Sequence, residues 1–184
     1  MLSFIQLLTS TLIPLLTAWQ VQTYGVDFSI KHGVGGRANG SLKGLDVNIQ
    51  FDESHPELTD ISATVLTSTI TTGLAIRDSK IKGEDYLDVV RFPKISLRIN
   101  GAALVAPGLY RSVGILEIKG KAQQIPLTFS YVKQPSAKNQ PGAKPSAKFN
   151  TRFTINRLDF GVGSSSWILA DSLSVSVGVV ANVP

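Results

Sequence analysis

The chain has 184 residues, 43% hydrophobic and 17% charged, with no cysteine and a formal net charge of +5. A chain of this size buries a core without covalent staples, and its composition excludes wholesale disorder, a disulfide framework, thiol chemistry and iron–sulfur clusters. His32 and His55 are its only imidazoles, which excludes a multi-histidine zinc site. The basic balance is local. Lys133, Lys138, Lys144 and Lys148 fall in one stretch without Asp or Glu, and without those four the net charge drops from +5 to +1. A folded basic face for nucleic acid is therefore not expected.

In chain order, the first eighteen residues carry no charged side chain, and the first one anywhere is Asp27. The run is too short and too broken by Ser, Thr and Pro14 to span a bilayer, and a small residue, Ala18, closes it. It reads as an export signal, which places the body of the protein in the periplasm or outside the cell.

From Val26 onward the period becomes two. Val26, Phe28 and Ile30 alternate with Asp27, Ser29 and Lys31; Leu45, Val47, Ile49 and Phe51 alternate with Asp46, Asn48 and Gln50. A β-rich run follows from Ile61 to Ile70, then Ile95, Leu97 and Ile99. Gly114, Leu116 and Ile118 share a face, as do Ile125, Leu127, Phe129 and Tyr131, then Phe149, Phe153 and Ile155, and finally Leu173, Val175, Val177 and Val179. That gives about eight strands, each apolar on one face. Connections as short as Lys119–Gln124 favour antiparallel neighbours, and the pattern by itself fits a barrel or a sandwich.

Two segments break the pattern. Between Thr71 and Val90, Leu74, Arg77 and Ile81 stand at helical spacing before Gly83, and Asp85–Asp88 suggests a second turn, so two short helices are expected between strands three and four. Gln134–Lys148, which contains Pro-Ser-Ala-Lys twice, reads as a flexible basic hairpin insertion. Catalytic motifs are weak. Gly161 and Gly163 precede no helix, Ser164–Ser166 lack a nucleophile-elbow setting, and Asp85 with Asp88 lacks an opposing wall.

Four separated stretches resemble the YceI-like family of lipid-binding, lipocalin-like barrels. They are VDFSIKH (Val26–His32) with GSLKGLDVNI (Gly40–Ile49); TTGLAIRDSKIKGEDYLDVVRFPKISLRI; GILEIKGKAQQIPLTFSY; and FTINRLDFGVG with the closing ADSLSVSVGV. Two departures stand out. The family usually has an Asp and a His-Ser pair before the first strand, where this chain has the shorter Gln22-Thr23-Tyr24-Gly25, and Glu117 replaces a usual Thr.

The resemblance implies an all-β fold: residues 19–184 as one eight-stranded antiparallel lipocalin-like barrel with a short helical segment between strands 3 and 4. It further implies non-enzymatic binding of a long apolar lipid (an isoprenoid quinone, a polyprenyl compound or a fatty-acyl derivative) as cargo, with no cofactor and no metal. An isoprene unit of about five carbons, at ~0.8 kcal/mol per buried CH₂, contributes up to roughly 4 kcal/mol before ordering costs. The inward-facing Phe28, Ile30, Val47, Ile49, Ile95, Leu97, Leu127, Phe129, Phe153, Ile155, Val175 and Val177 either line such a cavity or pack a filled core. His32, Arg77, Asp78 and Arg157 are the candidates for a polar head group. Each has a structural alternative: a rim imidazole on a backbone carbonyl, an Arg77–Asp78 pair fixing a lid, and a buried Arg157 paired with Asp159, Asp78 or Asp85. Transient membrane contact for loading is expected, and exposed β edges leave room for a homodimer. The rival readings are a surface interaction module with a filled core and an enzyme acting on an isoprenoid or ester.

Overall fold

The computed structural model describes residues 19–135 and 145–182. The uncharged segment 1–18 and residues 136–144 of the basic hairpin lie outside these. Ten strands form one antiparallel sheet: β1 (Gln20–His32), β2 (Gly36–Leu42), β3 (Asp46–Gln50), β4 (Asp60–Leu66), β5 (Lys94–Asn100), β6 (Ala103–Ala106), β7 (Leu109–Ile118), β8 (Lys121–Gln134), β9 (Ser146–Asn156) and β10 (Leu169–Asn182). The order across the sheet is β2-β1-β10-β9-β8-β7-β5-β4-β3, with β6 paired to β7. The sheet curls on itself into an incompletely closed barrel of the lipocalin-like kind. Its eight predicted strands are present, and β2 and β6 are additional.

Neither extra strand has an alternating apolar face long enough to show in the sequence. β6 is exposed throughout, a short flap on β7. β2 reads GRANGSL and buries only Ala38 and Leu42. Gly40 has a specific use: a Cβ there would overlap the edge of the Phe28 ring on the neighbouring strand and stand 2.6 Å from the Thr71 carbonyl oxygen.

The edge strands β2 and β3 share no ladder, and other contacts hold the seam. Trp19 donates its backbone N–H to Ile49 O (3.2 Å) and its indole N–H to Phe51 O (3.1 Å), tying the start of β1 to the end of β3. Further along, Ser41 and Thr71 exchange backbone bonds of 2.9 and 3.0 Å, Thr69 Oγ1 bonds both N–H and C=O of Lys43, and Gly44 N–H donates to the Tyr24 hydroxyl at 2.8 Å.

Between β4 and β5 the chain makes a 3-10 turn, Thr67–Thr69, where the β-rich run is expected to continue, and then one α-helix rather than two: α1 (Ala75–Lys82). After Gly83 the backbone turns back on itself, with Leu87 N–H bonded to Ile81 O and Val89 N–H to Lys82 O. Residues 84–87 form only a turn, and Asp88 ends it at φ +46°, so no second helix is built. The base of the basic hairpin is β-strand. β8 and β9 continue into it, pairing Val132 with Lys148 and Gln134 with Ser146.

One end of the barrel is stoppered by aromatic rings. Trp19 meets Phe149 edge-on at 5.2 Å, Phe51 meets Tyr110 at 5.0 Å, and Tyr110 stacks on Phe129 at 5.4 Å, with Tyr131 completing the cluster. All six are buried. Such pairs add about 0.5–1.5 kcal/mol each beyond the area they bury. Burial, and then the Glu53 charge, hold the Tyr110 and Tyr131 phenols above their ordinary 10.0, so both stay neutral.

The Gly40 contact is directly testable. Gly40→Ala pushes a methyl group against the Phe28 ring and a backbone oxygen, and costs about 1–3 kcal/mol by overpacking. Urea denaturation should show a lower midpoint for this variant, while Asn39→Ala, exposed on the same strand, stays within about 0.5 kcal/mol of the parent.

Candidate functional site: an apolar cavity with a basic mouth

The alternation that built the strands also sets what faces inward. The β1–β10 register puts Phe28 opposite Val175, Val26 opposite Val177 and Ile30 opposite Leu173; β10 in turn sets Val175 against Phe153 and Leu173 against Ile155. These inward faces do not meet at the centre. They enclose a cavity of about 620 Å³ whose wall is overwhelmingly apolar. Phe28, Leu173, Val175 and Val177 remain half-buried because the space in front of them is empty.

Of the twelve residues read as inward-facing, eleven line this cavity: Phe28, Ile30, Val47, Ile49, Ile95, Leu97, Phe129, Phe153, Ile155, Val175 and Val177. Leu127 does not. It is 4% exposed and packs behind the wall, where a Cβ on Gly114 would stand 2.9 Å from its Cδ2. The sequence reading missed Leu45, Ile61, Ala63 and Leu116 of the wall, and Leu42 from the glycine-bearing edge strand. Phe129 and Phe149 belong both to the wall and to the aromatic cluster, so the cavity ends on those rings.

The opposite end is polar. His32, exposed at the end of β1, Arg77 and Lys80 from α1, Tyr86 from the following turn, and Ser164 and Ser166 from the loop before β10 line the mouth. Lys80 was not singled out from sequence, although its place three residues after Arg77 puts both on one side of a helix. The carboxylate-bearing lining residue, Asp27, sits mid-strand on β1 opposite Ser176 and Ser41, so the charge at the mouth itself is basic.

Arg77 and Asp78 do not pair with each other; both grip Thr72. Arg77 Nε donates to Thr72 Oγ1 at 2.7 Å and Nη2 to Thr72 O at 2.9 Å. The Asp78 carboxylate accepts from the Thr72 N–H (2.7 Å), the Thr72 hydroxyl and the Thr71 hydroxyl (3.0 Å). Those bonds, the Thr72 hydroxyl foremost, hold the Asp78 carboxyl below its ordinary 3.8. Asp78 therefore anchors the start of α1, while Arg77 also lines the mouth.

Arg157 opens the 3-10 turn that follows β9 and still points inward, on the side expected from Phe153 and Ile155, but its partners differ from the expected ones. At 3% exposure its Nε donates to Ala170 O (3.0 Å), Nη1 to Val162 O (2.8 Å), and Nη2 to Ser164 O (2.8 Å), Leu169 O (3.3 Å) and Asp171 Oδ1 (3.0 Å). The carboxylate partner is thus Asp171, and not Asp159, Asp78 or Asp85. Arg157 fixes the loop before β10 through backbone carbonyls, a pattern no side-chain motif advertises. Gly163, with φ +69°, makes room for it: a Cβ there would lie 2.9 Å from Nη1 and 3.0 Å from the Tyr86 ring.

A closed floor, an apolar shaft and a basic polar rim define a barrel with an internal apolar cavity that opens at one end. The YceI-like domain family matches residues 19–182, and the chain belongs to that family. It is 29% identical over 153 residues to a UPF0312 protein of Pseudomonas putida, covering 82% of this chain and 78% of that one. A UPF0312 protein of Yersinia enterocolitica is 26% identical over 137 residues, 74% of this chain and 69% of its own. Among solved structures, BcnA of Burkholderia cenocepacia superposes with a TM-score of 0.79 at 20% identity, over 89% of this chain and all of that one. A polyisoprenoid binding domain from Saccharophagus degradans gives 0.67 at 11% identity, over 91% and 98%. At these identities the two structures speak for the fold.

Because Asp78 has a depressed pKa, its hold on α1 is complete above the ordinary carboxyl value of 3.8 and fades as pH falls through the lower folded value. Hydrogen exchange of the Thr72 amide, followed from neutral pH downward, should stay protected until below that value. In Asp78→Asn the amide should exchange faster already at neutral pH.

Proposed function

We propose that this protein binds one long-chain apolar lipid, chain inward and head at the mouth, and carries or sequesters it without chemical change. The single observation that carries the reading is the unfilled apolar cavity, closed by rings at one end and edged with basic and hydroxyl groups at the other. A surface module with a filled core would have no use for such a space. The polyisoprenoid-binding description of the Saccharophagus degradans domain, which shares the fold, supports the same assignment.

Size narrows the cargo. About 620 Å³ lies within the roughly 300–1,000 Å³ of cavities that hold a single ligand, so one prenyl or acyl chain and not several fits the shaft. A longer chain leaves its remainder at the mouth. Wall contacts are non-directional, so length and bulk rather than polar chemistry set selectivity. The basic mouth suits a head that accepts hydrogen bonds or carries negative charge: a quinone carbonyl, a carboxylate or a phosphate. His32, Arg77 and Lys80 are the residues positioned to meet it, with Asp78 and Arg157 holding the surrounding loops. The uncharged leader supports export, so the carrier would work in the periplasm or outside the cell.

Protein purified from an exporting host that makes native lipids should yield, on organic extraction and mass spectrometry, a stoichiometric long-chain isoprenoid or acyl compound. Ala63→Phe, which places a ring in the shaft, should abolish or shorten that cargo while the protein stays folded. A well-folded parent that neither retains nor takes up any prenyl or acyl chain would sink the proposal. Delipidated protein titrated with such a chain should gain about 2.7 kcal/mol of stability at a hundredfold excess of free ligand over its Kd.

A further inference from the structure

Three separate segments converge on the mouth, and each carries a large apolar side chain into solvent. Val34, at the tip of the β1–β2 hairpin, is fully exposed; Ile76 on α1 is 90% exposed; Trp167, in the loop before β10, is 91% exposed. Leu74 and Ile168 flank them at 58% and 40%. The segments are neighbours in space. Gly33 N–H donates to Ile168 O at 2.6 Å, joining hairpin to loop, and Gly163 N–H donates to Asp85 O at 2.8 Å, joining loop to the turn after α1. Lone exposed apolar residues need no explanation, but several on three elements around one opening do.

Their surroundings are basic. Lys31 and Arg37 pair across the hairpin, and Arg77, Lys80 and Lys82 lie on α1. The carboxylate among them, Asp78, is taken up by Thr71 and Thr72, and Glu84 and Asp85 follow on the turn beyond. Exposed Trp, Ile and Val interleaved with Lys and Arg match the two layers of a bilayer surface: a hydrocarbon boundary for the rings and branches, and anionic head groups for the cations.

We propose that this rim is a membrane-docking face that seats the mouth on an anionic lipid surface. Trp167, Ile76 and Val34 insert, and Lys31, Arg37 and Lys82 meet the lipid phosphates. That the docking serves cargo transfer rests on the lipid-binding reading; the docking itself does not. A seated mouth lets an apolar chain pass from bilayer to shaft without crossing water, the step that otherwise limits exchange of such a molecule.

The test uses vesicles of phosphatidylcholine alone and of phosphatidylcholine mixed with phosphatidylglycerol. The protein should cosediment with the anionic vesicles, less so as salt rises, and weakly with the neutral ones. Trp167 reports directly: its emission should shift to the blue on the vesicles, while Trp19, only 7% exposed, contributes a constant background. The triple variant Val34→Ser, Ile76→Ser, Trp167→Ser should bind at least about tenfold more weakly and keep the parent's far-UV circular dichroism and a cooperative urea unfolding transition, which shows that it is folded. A parent that ignores anionic vesicles, or a triple variant that binds them as well as the parent, overturns the docking face. So does a rim that instead pairs two copies of the chain in sedimentation without touching lipid. Vesicle binding by a parent that carries no cargo would keep the docking face and remove the carrier reading, so the two stand or fall separately.

Discussion

A sheet that curls far enough to enclose a space, yet leaves its two edge strands without a shared ladder, must be shut by something other than backbone pairing. Here Trp19 does so at the floor and the Ser41–Thr71 exchange does so nearer the mouth. Everything else hangs on that division. Because the seam is held by a few discrete bonds and not by a continuous ladder, the wall keeps a width set by its strands and need not collapse onto its own side chains. Burying Trp19 among five other rings gives the floor the packing that the shaft lacks.

The price of an unfilled interior is lost dispersion contact along the wall, and the two ends offset it. The floor does so with aromatic packing. The mouth does so with polar networks of a particular kind: Arg157 is bound mostly to backbone carbonyls, Arg77 is bound to Thr72, and Asp78 to Thr71 and Thr72. In both cases the charge acts on the main chain of a loop. A guanidinium so placed fixes where a loop runs, which matters more for an opening than for a core, since no ridge of apolar side chains holds an opening in shape.

The strand pattern made most of this legible. Alternation at Val26–Ile30, Ile95–Ile99 and Leu173–Val179 gave both the strands and their inward faces, because a half-buried strand writes its orientation into every second residue. What escaped has physical causes. β2 is held by Gly40 fitting beneath Phe28 and Thr71, so its signal is the absence of a side chain. The turn after α1 is shaped by one residue at positive φ, Asp88, and Leu127 shares the parity of the wall but sits behind it at a point where Gly114 lets it draw back. Arg157 was placed inward correctly, but its carbonyl partners are invisible in a one-letter code. Lys80 was overlooked because a lysine on a short polar helix resembles any solvated lysine.

The Ser41–Thr71 exchange has one more effect. An edge strand offers free N–H and C=O groups to any passing extended chain, and proteins that leave such edges bare invite edge-to-edge growth. Thr71 occupies those groups at Ser41, and the segment that carries it is in turn fastened at Thr72 by Asp78 and Arg77. To add a strand from a second molecule there, the intruder would have to peel away the start of α1. The same few bonds that shape the entrance thus also act as a guard against fibre-like self-association along β2.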